Sequence, residues 1–170
     1  MQIPYSIQKL QKKHFEKKGF FETLQALSHA PILDKDTCEQ LLQSITQQWT
    51  SIFVAIDTQT EDVIGTISVM LEQKFLRQGA IAAHIEDVSV HPNYQKQWIW
   101  SLLLEYARTF ALQNKAYKII LDCDTKLVWR YTKKLIFWGW CMYEIFSSSI
   151  NLFIIRSYAQ RSNTNSTYCL

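Results

Sequence analysis

Glu86 and Asp87 are adjacent carboxylates near the end of residues 81–90, a β-rich apolar run that predicts a strand. Carboxylates at a strand end can take a proton from an ammonium group, directly or through water, and can hold hydroxyls. Neighbours along a strand point to opposite faces, so only one of the pair is expected in a given cleft. The pair also has a plainer explanation, a solvated strand edge.

The elements that must position these groups belong to a chain of 170 residues, enough for one sizeable core. Apolar residues make up 48% and charged residues 19%, a globular composition. The net charge of +3 owes much to Lys9, Lys12, Lys13, Lys17 and Lys18, interleaved with Phe15, Phe20 and Phe21. That pattern reads as the solvated face of an amphipathic helix, and no nucleic-acid module accompanies it. Cys38, Cys123, Cys141 and Cys169 are scattered without Cys-x-x-Cys spacing, so no metal site is expected. The first residues lack the apolar stretch of a signal peptide, which points to reduced thiols and a cytoplasmic setting.

Residues 12–28 carry apolar side chains at roughly helical spacing, and Pro31 breaks the pattern. Asp34 or Asp36 is placed to cap a second helix whose buried stripe is Cys38, Leu41, Leu42 and Ile45. Residues 52–56 and 63–71 read as strands joined through the polar residues 57–62. After the third strand, ended by Pro92-Asn93, apolar residues 99, 102, 103, 106 and 110 predict a helix. Residues 117–123 form a further strand, and Asp124 or Thr125 caps a short helix through Tyr131. Residues 135–155 are mostly apolar and as a helix would reach about 30 Å. Glu144 and Ser147-Ser148-Ser149 interrupt them, favouring strands at 137–146 and 150–155 over a C-terminal membrane anchor. The expected fold is α/β (α+β): a mixed, mostly antiparallel central sheet flanked by helices, with a cleft where neighbouring strand ends diverge. The domain is expected to span residues 1–157, with a polar tail at 158–170.

Three segments together resemble a known family: Leu71-Glu72-Gln73-Lys74-Phe75-Leu76-Arg77, His84-Ile85-Glu86-Asp87-Val88-Ser89-Val90, and Tyr117-Lys118-Ile119-Ile120-Leu121-Asp122-Cys123-Asp124 with Tyr131 beyond. They are similar to the glucosamine 6-phosphate N-acetyltransferases of the GCN5-related N-acetyltransferase (GNAT) superfamily. The resemblance is continuous over residues 52–131. It implies transfer of the acetyl group of acetyl-CoA to the amine of glucosamine 6-phosphate, giving N-acetylglucosamine 6-phosphate for UDP-N-acetylglucosamine synthesis. By the same resemblance, Tyr131 protonates the leaving thiolate, and Glu86 and Asp87 contact substrate, Asp87 through a homodimer partner. The backbone of Val88 and Val90 serves the oxyanion and the pantetheine arm. Ser28, Lys74, Phe75, Leu76, Arg77, Tyr117, Lys118 and Asp122 line the phosphosugar pocket, with Arg77 where the family has His. The cations Lys74, Arg77 and Lys118 so placed suit a phosphate, since arginine binds it bidentately and lysine acts as a point charge, with ordinary surface charge as the plainer explanation.

The coenzyme loop departs from its family. The pattern Gln/Arg-x-x-Gly-x-Gly/Ala sets backbone N–H groups and a helix N-terminus against the pyrophosphate. Here the segment is Gln95-Lys96-Gln97-Trp98-Ile99-Trp100-Ser101, with tryptophan at both glycine positions. Leu127 replaces an Asn, Lys134-Leu135 replaces Phe/Cys-Gly, and Phe146 replaces a basic residue. Competing readings follow: an acetyltransferase with a remodelled loop, a binding or dimer module that keeps the fold without turnover, or misread codons after about residue 95.

Overall fold

The computed structural model describes residues 4–95, 97–124 and 152–158, with side chains through residue 121. Six strands form one sheet in chain order: β1 Tyr5–Lys9, β2 Thr50–Asp57, β3 Val63–Gln73, β4 Ile81–Val90, β5 Ala116–Asp124 and β6 Leu152–Tyr158. The first four pair antiparallel, while β4–β5 and β5–β6 pair parallel. A parallel neighbour needs a crossover, and the helix α4, Ile99–Gln113, supplies it between β4 and β5. The remaining helical segments are α1 Phe20–Gln25, α2 Lys35–Gln47 and the single turn α3 Leu76–Gly79.

The two faces of the sheet carry separate cores. Ile67, Val69, Ala83, Ile85, Ile119 and Leu121 pack against Ile99, Leu103, Leu104, Ala107 and Ala111 of α4. Each large apolar side chain buried there contributes about 1.5–3 kcal/mol. The inward stripe of α4 therefore differs from the expected one: Leu102 and Phe110 are half-buried and Tyr106 is exposed. Gly65 sets how closely α4 lies on β3. A Cβ there would come within 2.9 Å of Leu103 Cδ1 and 3.1 Å of Ile99 Cγ2. On the other face Phe15, Phe20, Cys38, Val54 and Val63 form a second cluster beneath α1 and α2.

The first expected helix is corrected. Residues 12–28 contain a 3-10 turn at Lys12–His14 and the short helix α1, broken at Gly19 with φ 87°. A side chain at Gly19 would strike the Val63 carbonyl, which no helix continuing through this point could avoid. Strand β1 was not expected at all. Asp34 caps α2, its Oδ1 accepting the Thr37 N–H at 2.9 Å. Of the expected α2 stripe only Cys38 is buried, and Leu41 is exposed.

Candidate active site

Strand β4 carries a bulge. Thr66 pairs with Ser89 and Ser68 with Glu86, so Ile67 alone stands opposite both Asp87 and Val88. Asp87 takes φ 52°, and its carbonyl accepts the Thr66 hydroxyl at 3.4 Å. This overturns the expectation that the two carboxylates face apart. Ile85 and Val88 both pack toward α4, and the extra residue between them puts Glu86 and Asp87 together on the opposite face. Asp87 there ends an apolar groove walled by Phe15, Phe20, Leu24 and Leu42, with Thr66 and Ser68 beside it. The same face is tied to α1 through the buried Ser89 hydroxyl, which donates to the Thr23 carbonyl at 2.5 Å.

The bulge coincides with a parting of strands. β4 pairs with β5 from Ile81↔Ala116 to Ile85↔Leu121 and no further, although β4 runs to Val90 and β5 to Asp124. Beyond Ile85 the two strands part, and among the described residues none pairs with that edge of β4. The His91 N–H donates to the Ile64 carbonyl at 2.9 Å, toward β3. Strand alternation then turns the N–H groups of Val90 and Val88 toward the opening. The parting lies where strand order leads to the expectation of a cleft.

At the other end of β4 a charged cluster spans β3, β4 and β5. The Glu72 carboxylate bonds Lys74 through one oxygen and His84 Nε2 at 2.9 Å through the other. Those bonds hold the Glu72 carboxyl below its ordinary range, Lys74 contributing most and His84 next. Arg77 lies 5.0 Å from the centre of the Tyr117 ring and the Lys118 ammonium 5.4 Å, two cations on one aromatic ring. Arg77, Tyr117 and Lys118 thus lie together, while Lys74 is paired with Glu72. Phe75 and Leu76, also expected at substrate, are exposed at the β3–β4 connection. Ser28 is exposed just after α1. Asp122 follows the last β4–β5 pair in the backbone, and Lys96 and Tyr131 lie outside the described residues.

The loop from β4 to α4 is closely bonded. Tyr94 N–H donates to the His91 carbonyl and Gln97 N–H to the Tyr94 carbonyl. The Gln95 amide reaches the Val90 carbonyl at 3.5 Å. Trp98 is the N-cap of α4 in the left-handed region, φ 62°, the conformation for which glycine is suited. The residue is 62% exposed, while Trp100 packs partly buried against the main core. Ser101 is 4% exposed, and its hydroxyl has no hydrogen-bond partner among the described residues. The tryptophans therefore divide into one that extends into solvent and one that serves the core.

Residues 13–131 match the model of the acetyltransferase (GNAT) family. The chain belongs to that family. The acetyltransferase is 42% identical over 82 residues to the glucosamine 6-phosphate N-acetyltransferase of Schizosaccharomyces pombe, covering 48% of this chain and 74% of the relative. With glucosamine 6-phosphate N-acetyltransferase 1 of Dictyostelium discoideum it shares 33% over 117 residues, 68% of this chain and 74% of the relative. Among solved structures it resembles glucosamine-6-phosphate N-acetyltransferase from Arabidopsis thaliana, with TM-score 0.72 and 27% identity. That match covers 86% of this chain and 97% of the other.

Acetyltransferases of this family use acetyl-CoA. Two features of this acetyltransferase fit that ligand: the buried, unpaired Ser101 hydroxyl in the first turn of α4, and the N–H groups of Val88 and Val90 at the strand opening. Sequence reasoning passed over Glu72 and His84, which were quoted within a motif but given no role. Their signal was a carboxylate and an imidazole at the facing ends of two strands read as neighbours. It also missed the contacts that Tyr5 and Asp57 make with the loop before α4.

Proposed function

We propose that this chain moves the acetyl group of acetyl-CoA to the amine of glucosamine 6-phosphate, giving N-acetylglucosamine 6-phosphate. The observation that carries the proposal is the layout along strand β4. Arg77 and Lys118 flank Tyr117 at one end, and Glu86 and Asp87 lie together at the other, where β4 and β5 part. A phosphate held by the cations sets the sugar along β4 with its amine toward the carboxylates. The names of the relatives support the same substrate.

Glu86 and Asp87 accept the ammonium proton, directly or through water, leaving a nucleophilic amine. The N–H groups of Val88 and Val90 hold the carbonyl oxygen and the extended arm of the coenzyme. Ser101 and the first turn of α4 meet the pyrophosphate. Bound acetyl-CoA supplies the acetyl group as an activated thioester. Tyr131 gives a proton to the departing sulfur. We place the protein in the cytoplasm as a homodimer, its product feeding UDP-N-acetylglucosamine synthesis.

The left-handed Trp98 favours one second reading, a binding or dimer module without turnover. Calorimetric titration with acetyl-CoA and then with glucosamine 6-phosphate, followed by a thiol-release assay, separates the two. The first reading expects both ligands to bind and free thiol to appear only when both are present. Binding of the sugar phosphate without coenzyme binding or thiol release would establish the second.

A further inference from the structure

Tyr5 and Asp57 are register partners across β1 and β2, and both reach the loop that leads into α4. The Tyr5 hydroxyl donates to Gln97 Oε1. Asp57 Oδ2 accepts the Tyr94 hydroxyl at 3.4 Å, while its Oδ1 accepts the Gln59 N–H at 2.8 Å and so fixes the β2–β3 turn. Tyr5, Tyr94 and Trp100 each pack against the main core. Burial and the neighbouring Asp57 raise the Tyr94 pKa, which keeps its hydroxyl a donor. The loop is thus gripped at two points, and the residue that follows, Trp98, holds φ 62°.

We propose that the Tyr5–Asp57 pair is a clamp that holds the coenzyme loop in a glycine-type conformation although tryptophan occupies the turn. A left-handed non-glycine residue persists only where its surroundings over-determine it. The clamp supplies that constraint from the far edge of the sheet. Tyr5 and Asp57 are positioning residues, acting on coenzyme through the loop. The inference rests on the coenzyme reading of this loop given above.

Two measurements test the clamp and that reading separately. The Ser101 and Leu102 amides donate to the Trp98 carbonyl at 2.9 and 3.3 Å, so their hydrogen exchange reports the loop without ligand. Loss of one hydroxyl bond in Tyr5→Phe should speed both about three- to tenfold, with the rest of α4 unaffected. In the same variant the Kd for coenzyme A, by calorimetry, should rise by a similar factor, and the Kd for glucosamine 6-phosphate should stay unchanged. Adding Trp98→Gly removes the need for restraint, so in that background Tyr5→Phe should alter the coenzyme A Kd less than twofold. Unchanged exchange in Tyr5→Phe overturns the clamp, as does equal weakening of both ligands or an undiminished effect with Trp98→Gly. A wild type that shows no coenzyme A binding overturns the reading of the loop, and exchange alone then decides the clamp.

Discussion

The imidazole of His84 lies 2.9 Å from one carboxylate oxygen of Glu72, whose other oxygen is bonded to Lys74. One acid on β3 thus holds two bases at the anion end of the proposed site. Its pKa is lowered by those partners. A carboxyl with a folded-state pKa below its unfolded value of about 4.5 stabilises the fold above that pH, and the contribution is lost as pH falls through the folded value. Glu72→Gln should therefore flatten the loss of thermal stability between about pH 5 and pH 3. Identical slopes for wild type and variant would remove Glu72 from the acid response.

His14 gives the opposite type of group with the same direction of pH dependence. It is 1% exposed, and its Nδ1 accepts the Gln11 N–H at 3.0 Å. Burial first, then Lys13 and Lys17, lower its pKa. Below the unfolded value of 6.5 the unfolded chain takes up a proton that the folded chain resists. Stability should fall as pH drops from about 7.5 to 5.5, and His14→Asn, which keeps an acceptor near Nδ1, should show a smaller fall. Melting curves of the two proteins at both pH values decide this.

Trp98 and Trp100 should respond in opposite ways to glycine. Trp98→Gly relieves a left-handed conformation costing about 1–2 kcal/mol, against about 0.5–1 kcal/mol of added chain entropy. The variant should be neutral to slightly more stable, and coenzyme A should bind at least as well. Trp100→Gly empties part of the core and should cost about 2–4 kcal/mol. The opposite ranking in urea denaturation would show that these roles are reversed.

Gly65→Ala should destabilise by about 1–3 kcal/mol, because its methyl would press on Leu103 and Ile99. Leu103→Ala in the same chain should make room, so the double variant should lose less than the sum of the two single losses. Additive losses would place the strain elsewhere.

If Tyr131 protonates the leaving thiolate, Tyr131→Phe should lower kcat roughly ten- to a thousandfold and leave acetyl-CoA affinity nearly unchanged. An unaltered kcat would remove it from the mechanism.

Much of this architecture is legible in the sequence where side-chain periodicity and backbone preference agree. The alternating and β-branched residues of 81–90 marked β4 to the residue, and the apolar spacing after Ile99 marked α4. The helix over residues 12–28 failed because Gly19 is required by a close approach to the Val63 carbonyl, a tertiary fact that periodicity does not carry. Strand β1 is five residues long, and its half-buried alternation, Tyr5 and Ile7 against polar neighbours, was too short to stand out. The cations near Tyr117 could be grouped from the resemblance, but the contact of Glu72 with His84 depends on strand register. Least legible was the bulge at Asp87. One inserted residue reverses the phase of everything after it, and no residue type in Glu86-Asp87-Val88 announces it.

A sheet that parts between two of its inner strands carries an edge inside itself. Open edges usually invite strands from other molecules, which is how aggregation starts. Residues 86–90 escape this because the stretch is short, is bent by the bulge and stays paired with β3 along its other side. So short and bent an edge is a poor template for a flat second sheet, while its backbone groups still suit a narrow, extended chain with amide groups of its own. The parting of β4 and β5 is thus matched to the shape of a visitor before any side chain tests its chemistry.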